Sequence, residues 1–210
     1  VGAAAALSGA FMRPLHYQDG LPDARQFERA IRSDDIHYPH TGLICVENPL
    51  SNGRVVPLDR LRAVYEMARS HGVPVHMDGA RIFNAAISSG LDVQRIAACA
   101  DSVMICLSKG LCAPVGSVVA GSHAFVRRAR KMRKLMGGGM RQCGILAAAG
   151  IVALKHMTER LIEDHDNARY LARRLALFDC IEIDVNSVEI NMVFFRVHLP
   201  DQTIDALPGQ

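Results

Sequence analysis

Val73-Pro74-Val75-His76-Met77-Asp78-Gly79-Ala80-Arg81 and Ser102-Val103-Met104-Ile105-Cys106-Leu107-Ser108-Lys109-Gly110 decide how this chain is expected to fold. Each is an apolar, β-branched run that ends on a charged residue followed by glycine. In an open α/β sheet the downstream ends of strands are where ligand-binding residues gather. Asp78 and Lys109 are therefore the first candidates. The chain has only four lysines, and Lys131, Lys134 and Lys155 lie in helix-like, polar surroundings. A lysine that closes a buried strand is expected to lose hydration and to offer a free amine for a Schiff base. An acid at a neighbouring strand end suits the protonated ring nitrogen of pyridoxal phosphate, the usual partner of such a lysine. A buried ion pair, or a surface lysine at a strand end, would leave the same signature.

Outward from these runs, strands and helices alternate. Residues 43–48 read as a buried strand, followed by a turn rich in breakers up to Gly53. Leu58, Leu61, Tyr65 and Ala68 recur at helical spacing until Gly72. Residues 82–89 and 93–99 read as helices between the two site-bearing strands, and 117–120 as a short further strand. This alternation predicts a mostly parallel sheet with covered faces. Beyond Gly121 come a basic helix (123–136), three glycines (137–139), a long apolar helix (142–157), a more polar helix (159–175) and strand-like runs at 180–183 and 188–197. Helices followed by strands predict a second, α+β unit, with a large domain over 1–155 and a small domain begun over 156–210.

Half of the residues are apolar, and no apolar run is long enough to span a bilayer. A net charge of +3 is too small to imply a polyanionic partner. Six of the eight residues over 127–134 are basic, but without interleaved aromatics this reads as a solvated helix face rather than a nucleic-acid stripe. The six cysteines show no metal-ligand spacing, so no metal site is expected; a reducing cytoplasm is the simplest setting. Cys45 and Cys106 read as small hydrophobes within strands. The start lacks methionine and a charged leader, and reads as the interior of a longer chain.

Four blocks carry a resemblance: His76-Met77-Asp78-Gly79-Ala80-Arg81-Ile82-Phe83-Asn84-Ala85; Asp101-Ser102-Val103 through Cys106-Leu107-Ser108-Lys109-Gly110-Leu111; Ala113-Pro114-Val115-Gly116-Ser117; and Gly137-Gly138-Gly139-Met140-Arg141-Gln142. In order and spacing they resemble the L-threonine aldolases, which belong to the fold-type-I pyridoxal phosphate enzymes. The resemblance implies that Lys109 is the Schiff-base lysine and Asp78 the partner of the ring nitrogen. It implies that Arg81 stands near the substrate carboxylate, where a planar fork suits the task. Lys134 and Arg141 resemble basic residues lent to the cofactor or substrate region of a neighbouring subunit, in a homodimer or homotetramer. The glycines between them allow close approach and positive φ. Ser108 could bond the phosphate, or serve as a plain turn residue; His76 is expected to pack in the core.

The implied reaction cleaves a β-hydroxy-α-amino acid such as L-threonine to glycine and an aldehyde. One departure bears on it: the family reads Glu-Asn-Thr-His-Asn where this chain has Glu47-Asn48-Pro49-Leu50-Ser51. Leucine cannot take the hydroxyl proton that the family histidine handles. A β-eliminating lyase of the same superfamily, or a non-catalytic fragment, are the rival readings. The phosphate-cradling turn, the ring-stacking residue and the C-terminal arginine of the family are expected outside these residues.

Overall fold

Three parallel strands follow one another across the sheet in chain order. The computed structural model describes residues 2–198. Two short helices, α1 (Ala3–Ser8) and α2 (Ala24–Ala30), precede the sheet. Then come β1 (Ile44–Glu47), α3 (Leu58–Ser70), β2 (Val75–Asp78), α4 (Ile82–Ser89), α5 (Val93–Ala97), β3 (Ser102–Cys106) and β4 (Ser117–Gly121). After them lie α6 (His123–Leu135), α7 (Gly144–His156), α8 (Leu161–Leu175), β5 (Ile181–Glu182), a 3₁₀ turn (Val185–Ser187) and β6 (Arg196–Val197). The part of the expected small domain over 199–210 lies outside the described residues.

Strand order β1-β2-β3-β4 has its first two pairings parallel and the last antiparallel. The antiparallel edge has a simple cause. Only ten residues, 107–116, join β3 to β4, fewer than a parallel crossover needs. The sequential order has a second consequence. Right-handed crossovers that all step the same way place every crossover helix on the same face. That face carries Ile44, Val46, Val75, Met77 and Val103, which close with Leu61, Val64, Ala68, Ile82, Ala85 and Ile96 into the main core. The opposite face carries Cys45, Glu47, His76, Asp78, Met104 and Cys106, none of them buried. The expectation of two covered faces is thus corrected among the described residues, as is that of Cys45 and Cys106 as core thiols. Strand alternation gives the buried side to their neighbours, leaving Cys45 exposed and Cys106 half-buried.

Two further corrections concern the ends of the chain. Residues 188–195 form no strand; Val188 and Ile190 are buried, but the backbone there has no ladder to join. Glu189 instead accepts the Val55 N–H through Oε2 at 2.8 Å, and its carbonyl accepts the Ser88 hydroxyl at 2.8 Å. Only Arg196–Val197 pairs, with β5. Helix α2, not anticipated, starts at a cap that the sequence does contain: Asp23 Oδ1 accepts the Gln26 N–H at 3.1 Å, the Asp-x-x-Gln pattern of a helix start.

Helix α8 crosses α4 through a buried polar pair. Asn84 Nδ2 lies 3.0 Å from His165 Nε2, and His165 is 1 % exposed. Leu161, at the start of α8, joins Leu107, Leu111, Ala113 and Ala153 in a second apolar cluster beneath the Lys109 turn.

Candidate active site

Asp78 is the last residue of the central parallel strand, and the strands on either side pin it. The Asn48 N–H donates to the Asp78 carbonyl at 3.0 Å, and the Gly79 N–H to the Met104 carbonyl at 2.8 Å. One carboxylate oxygen of Asp78 accepts the Ala80 N–H at 3.0 Å. Gly79 has to be glycine: a Cβ there would stand 2.9 Å from Val103 Cγ1 and 3.0 Å from the Met104 carbonyl oxygen. The chain turns there tightly enough to start α4 within four residues of Asp78. Arg81 occupies the cap position of α4 without using its side chain as a cap. It makes no ion pair among the described residues, so its guanidinium is not spent on a helix-start salt bridge.

Lys109 lies three residues beyond the end of β3. Its turn closes on its own backbone, with Ala113 N–H to the Leu107 carbonyl at 3.0 Å and Cys112 N–H to the Lys109 carbonyl at 2.9 Å. Cys112 pays for this tightness in a left-handed conformation, φ 59°, of the kind found where a loop is held for function. Leu107, Leu111 and Ala113 point into the second cluster, so Ser108 and Lys109 point outward and are exposed. The expectation that Lys109 is dehydrated is therefore not met. Its strand ends earlier than the apolar run suggests, and the apolar residues that follow anchor the turn rather than bury the lysine.

Glu47 completes the group, and no expectation singled it out. It ends β1 as Asp78 ends β2, and the ladder sets the two side by side on the same face. Burial pushes its carboxyl up and the charge of Asp78 adds to this; the Ser51 N–H and the cations of Lys109 and Arg81 pull the other way. Glu47, Asp78 and the turn bearing Lys109 all lie at the downstream ends of neighbouring parallel strands, which places them, with Arg81, at one edge of the sheet. The signal was available: Glu47 is also a charged residue at the downstream end of an apolar run.

His76 is opposite Met77, as alternation requires, but half-buried on the Asp78 face rather than in the core. Its Nδ1 lies 2.8 Å from Ser102 Oγ. Burial pushes its pKa down, with Asp78 opposing. Leu50 rests half-buried against the main core. Lys134 and Arg141 are exposed on α6 and on the α6–α7 connection, and no contact among the described residues ties them to Asp78. Of the glycines between them, Gly137 takes the expected positive φ, 86°, and a Cβ on Gly139 would collide with Lys134 Cδ. Among the described residues no cluster of His, Cys, Asp or Glu is arranged to hold a metal ion.

A sheet with Asp78, Arg81 and Lys109 at its carboxyl edge defines an α/β enzyme-like class, and comparison with known proteins gives the family. Residues 1–198 match the family model described as beta-eliminating lyase, and the chain belongs to that family. It is 44% identical over 201 residues to a probable low-specificity L-threonine aldolase 2 of Arabidopsis thaliana, covering 93% of this chain and 57% of that one. It is 44% identical over 197 residues to a low specificity L-threonine aldolase of Escherichia coli strain K12, covering 93% and 58%. The chain thus spans a little over half the length of these relatives. A threonine aldolase structure from Leishmania major superposes with a TM-score of 0.69 at 20% identity, covering 86% of this chain and 54% of that one. The fold is that of the fold-type-I pyridoxal phosphate-dependent enzymes.

Proposed function

We propose that this protein is a pyridoxal phosphate-dependent carbon–carbon lyase that cleaves L-threonine or related β-hydroxy-α-amino acids to glycine and an aldehyde. The observation that carries this reading is the convergence of Asp78, Arg81 and Lys109 on one sheet edge with their charged ends unspent. None of the three is in an ion pair among the described residues, and Asp78 has a single hydrogen-bonded side-chain contact. A carboxylate with an open oxygen and an unpaired amine fit the ring nitrogen and the aldehyde of pyridoxal phosphate. When bound, the cofactor supplies a carbonyl that an amine can capture and a ring that accepts the electron pair of a broken Cα–Cβ bond.

In this reading Lys109 holds the cofactor between turnovers and yields to the substrate amine. Asp78 keeps a proton at the ring nitrogen, a task that suits a rigidly pinned carboxylate. Arg81 grips the substrate carboxylate and so sets which bond at Cα stands perpendicular to the ring. Ser108, beside Lys109, has its hydroxyl exposed and is assigned to the phosphate side. We take residues 1–155 as the cofactor-binding domain, 156–210 as the start of a small domain, and the cytoplasm as the compartment. No helix among the described residues is long and apolar enough to cross a membrane.

The protein is further proposed to work as a homodimer or homotetramer, with Lys134 and Arg141 completing a partner's site. Two inactive variants, one at Lys109 and one at Arg141, should regain activity in mixed oligomers after subunit exchange. No recovery despite proven exchange would remove the shared site. The function itself is tested by borohydride reduction of the cofactor-loaded full-length protein, peptide mapping and product analysis. A pyridoxyl group on Lys109, with glycine and an aldehyde released, is expected. Labelling at another lysine overturns the site, and ammonia with a keto acid establishes the β-eliminating alternative.

A further inference from the structure

Glu47 and Asp78 are neighbours across the β1–β2 ladder, where adjacent parallel strands run only about 4.8 Å apart. Both are half-buried, both end their strands, and both project from the face that the crossover helices leave uncovered. Glu47 makes no ion pair among the described residues. Charged and polar groups face the pair from the neighbouring elements. On Glu47 these are the Ser51 N–H, Lys109 in the turn after β3 and Arg81 at the start of α4, while the pair's own charges bear on Tyr17 from the segment before α2, Cys45 on β1 and His76 on β2.

We infer that Glu47 is a positioning residue of the site, acting through Asp78 by setting how much negative charge stands at the ring-nitrogen end. This rests on the reading that Asp78 faces the ring nitrogen of pyridoxal phosphate. Two carboxylates this close and partly removed from water do not ionise independently. Burial and the charge of Asp78 make Glu47 keep its proton to higher pH than a free glutamate, against the pull of Lys109 and Arg81. With that proton in place the end of the site carries the charge of Asp78 alone. Once it is released, a second negative charge stands beside Asp78 and strengthens its hold on a ring proton. Glu47 needs no contact with the substrate for this.

The test follows the absorbance of pyridoxal phosphate bound to the full-length protein as pH is varied, in wild type, Glu47→Gln, Glu47→Asp and Asp78→Asn. Cofactor stoichiometry and thermal midpoint are measured alongside. Glutamine keeps the shape of Glu47 but never carries its charge. Removing that charge disfavours the protonated form of the bound cofactor, so the spectroscopic midpoint is expected to fall by about half a pH unit or more. The stoichiometry should be unchanged. Aspartate, which draws the charge back by one methylene, is expected to give a smaller fall. A structural role alone would move the thermal midpoint and leave the spectroscopic one in place. Identical spectroscopic midpoints in wild type and Glu47→Gln, with Asp78→Asn shifted, would overturn the inference while leaving the proposed function standing. If Glu47→Gln fails to take up cofactor, an unshifted Glu47→Asp overturns it equally. Absence of cofactor uptake by the wild type would overturn the functional reading and this inference together.

Discussion

Residues 44–113 and residues 117–156 both contain apolar runs in the sequence, yet these end in opposite states. In the first region Ile44, Val75, Met77, Ile82, Ile96 and Val103 close on one another, and the charged residues collect at the strand ends. In the second, β4 is exposed along its length and α6 buries no residue. Helix α7 buries only Gly150 and Ala153, while Ile145 is 85% exposed and Leu135, at the end of α6, is 77% exposed. The difference teaches that the core beneath the site closes among the described residues, whereas the surface of β4, α6 and α7 stays open. A second copy of this chain, bringing Lys134 and Arg141 with it, is the occupant we propose.

The sharpest way to break this contrast is to cut equally into both regions. Met77→Ala empties a site that is 0% exposed and is expected to cost about 2–5 kcal/mol by denaturant unfolding. Ile145→Asp should leave the unfolding of the protomer within about 0.5 kcal/mol of wild type yet shift the oligomer towards smaller species in sedimentation. Unchanged sedimentation, or protomer destabilisation as large as that of Met77→Ala, would mean α7 is not an interface.

Within the first region the strand ends should matter to chemistry rather than to folding. Asp78→Asn is expected to cost on the order of 2–4 kcal/mol in kcat, since an amide cannot hold the ring proton. Cofactor should still bind. Undiminished turnover would remove Asp78 from the proposed role.

Leu50, half-buried against the main core, is the position at which the sequence departs from the family pattern. An apolar wall there is expected to favour bulky or aromatic aldehyde portions over a methyl by about 1–3 kcal/mol in kcat/KM. Leu50→His should raise activity on threonine or sharpen the choice between its diastereomers. A wild type that prefers threonine, together with a silent substitution, would show that the position has no such role.

The smallest effect concerns the buried link between α4 and α8. Burial pushes the pKa of His165 down and Arg169 adds to this, against Asp164 and Asp166. The folded state therefore binds the proton less readily than the unfolded chain does. Its contribution is present above the ordinary histidine value of 6.5 and is lost as pH falls through the lower folded-state value. Urea midpoints at pH 7.5 and at about 5.5 should show this loss, and His165→Gln should show less of it. An equal slope in the variant would place the titration elsewhere.

Much of this arrangement was legible in the residues. The strands ending at Glu47 and Asp78, the helices from Leu58 and Ile82, and the turn at Gly79 follow from apolar periodicity and from breakers. These are local properties of the chain. Element ends moved by a residue or two, because a strand stops where its ladder stops and not where its apolar run does. That is why Lys109 stands beyond β3 and exposed. The run at 188–195 alternates as a strand would, but among the described residues no neighbouring strand offers a ladder there, and Glu189 is used to hold Val55 instead.

By itself the sequence determined which residues could carry chemistry and where each sits along its element, since both depend on neighbours a few positions away. Only the tertiary structure decided which face of the sheet lies open and that Glu47 stands beside Asp78. It alone also decided that α7, apolar all round, keeps most of its surface outside the core. Those outcomes depend on strand order and crossover hand, which bring together residues dozens of positions apart. Periodicity within one element carries no record of what lies across from it.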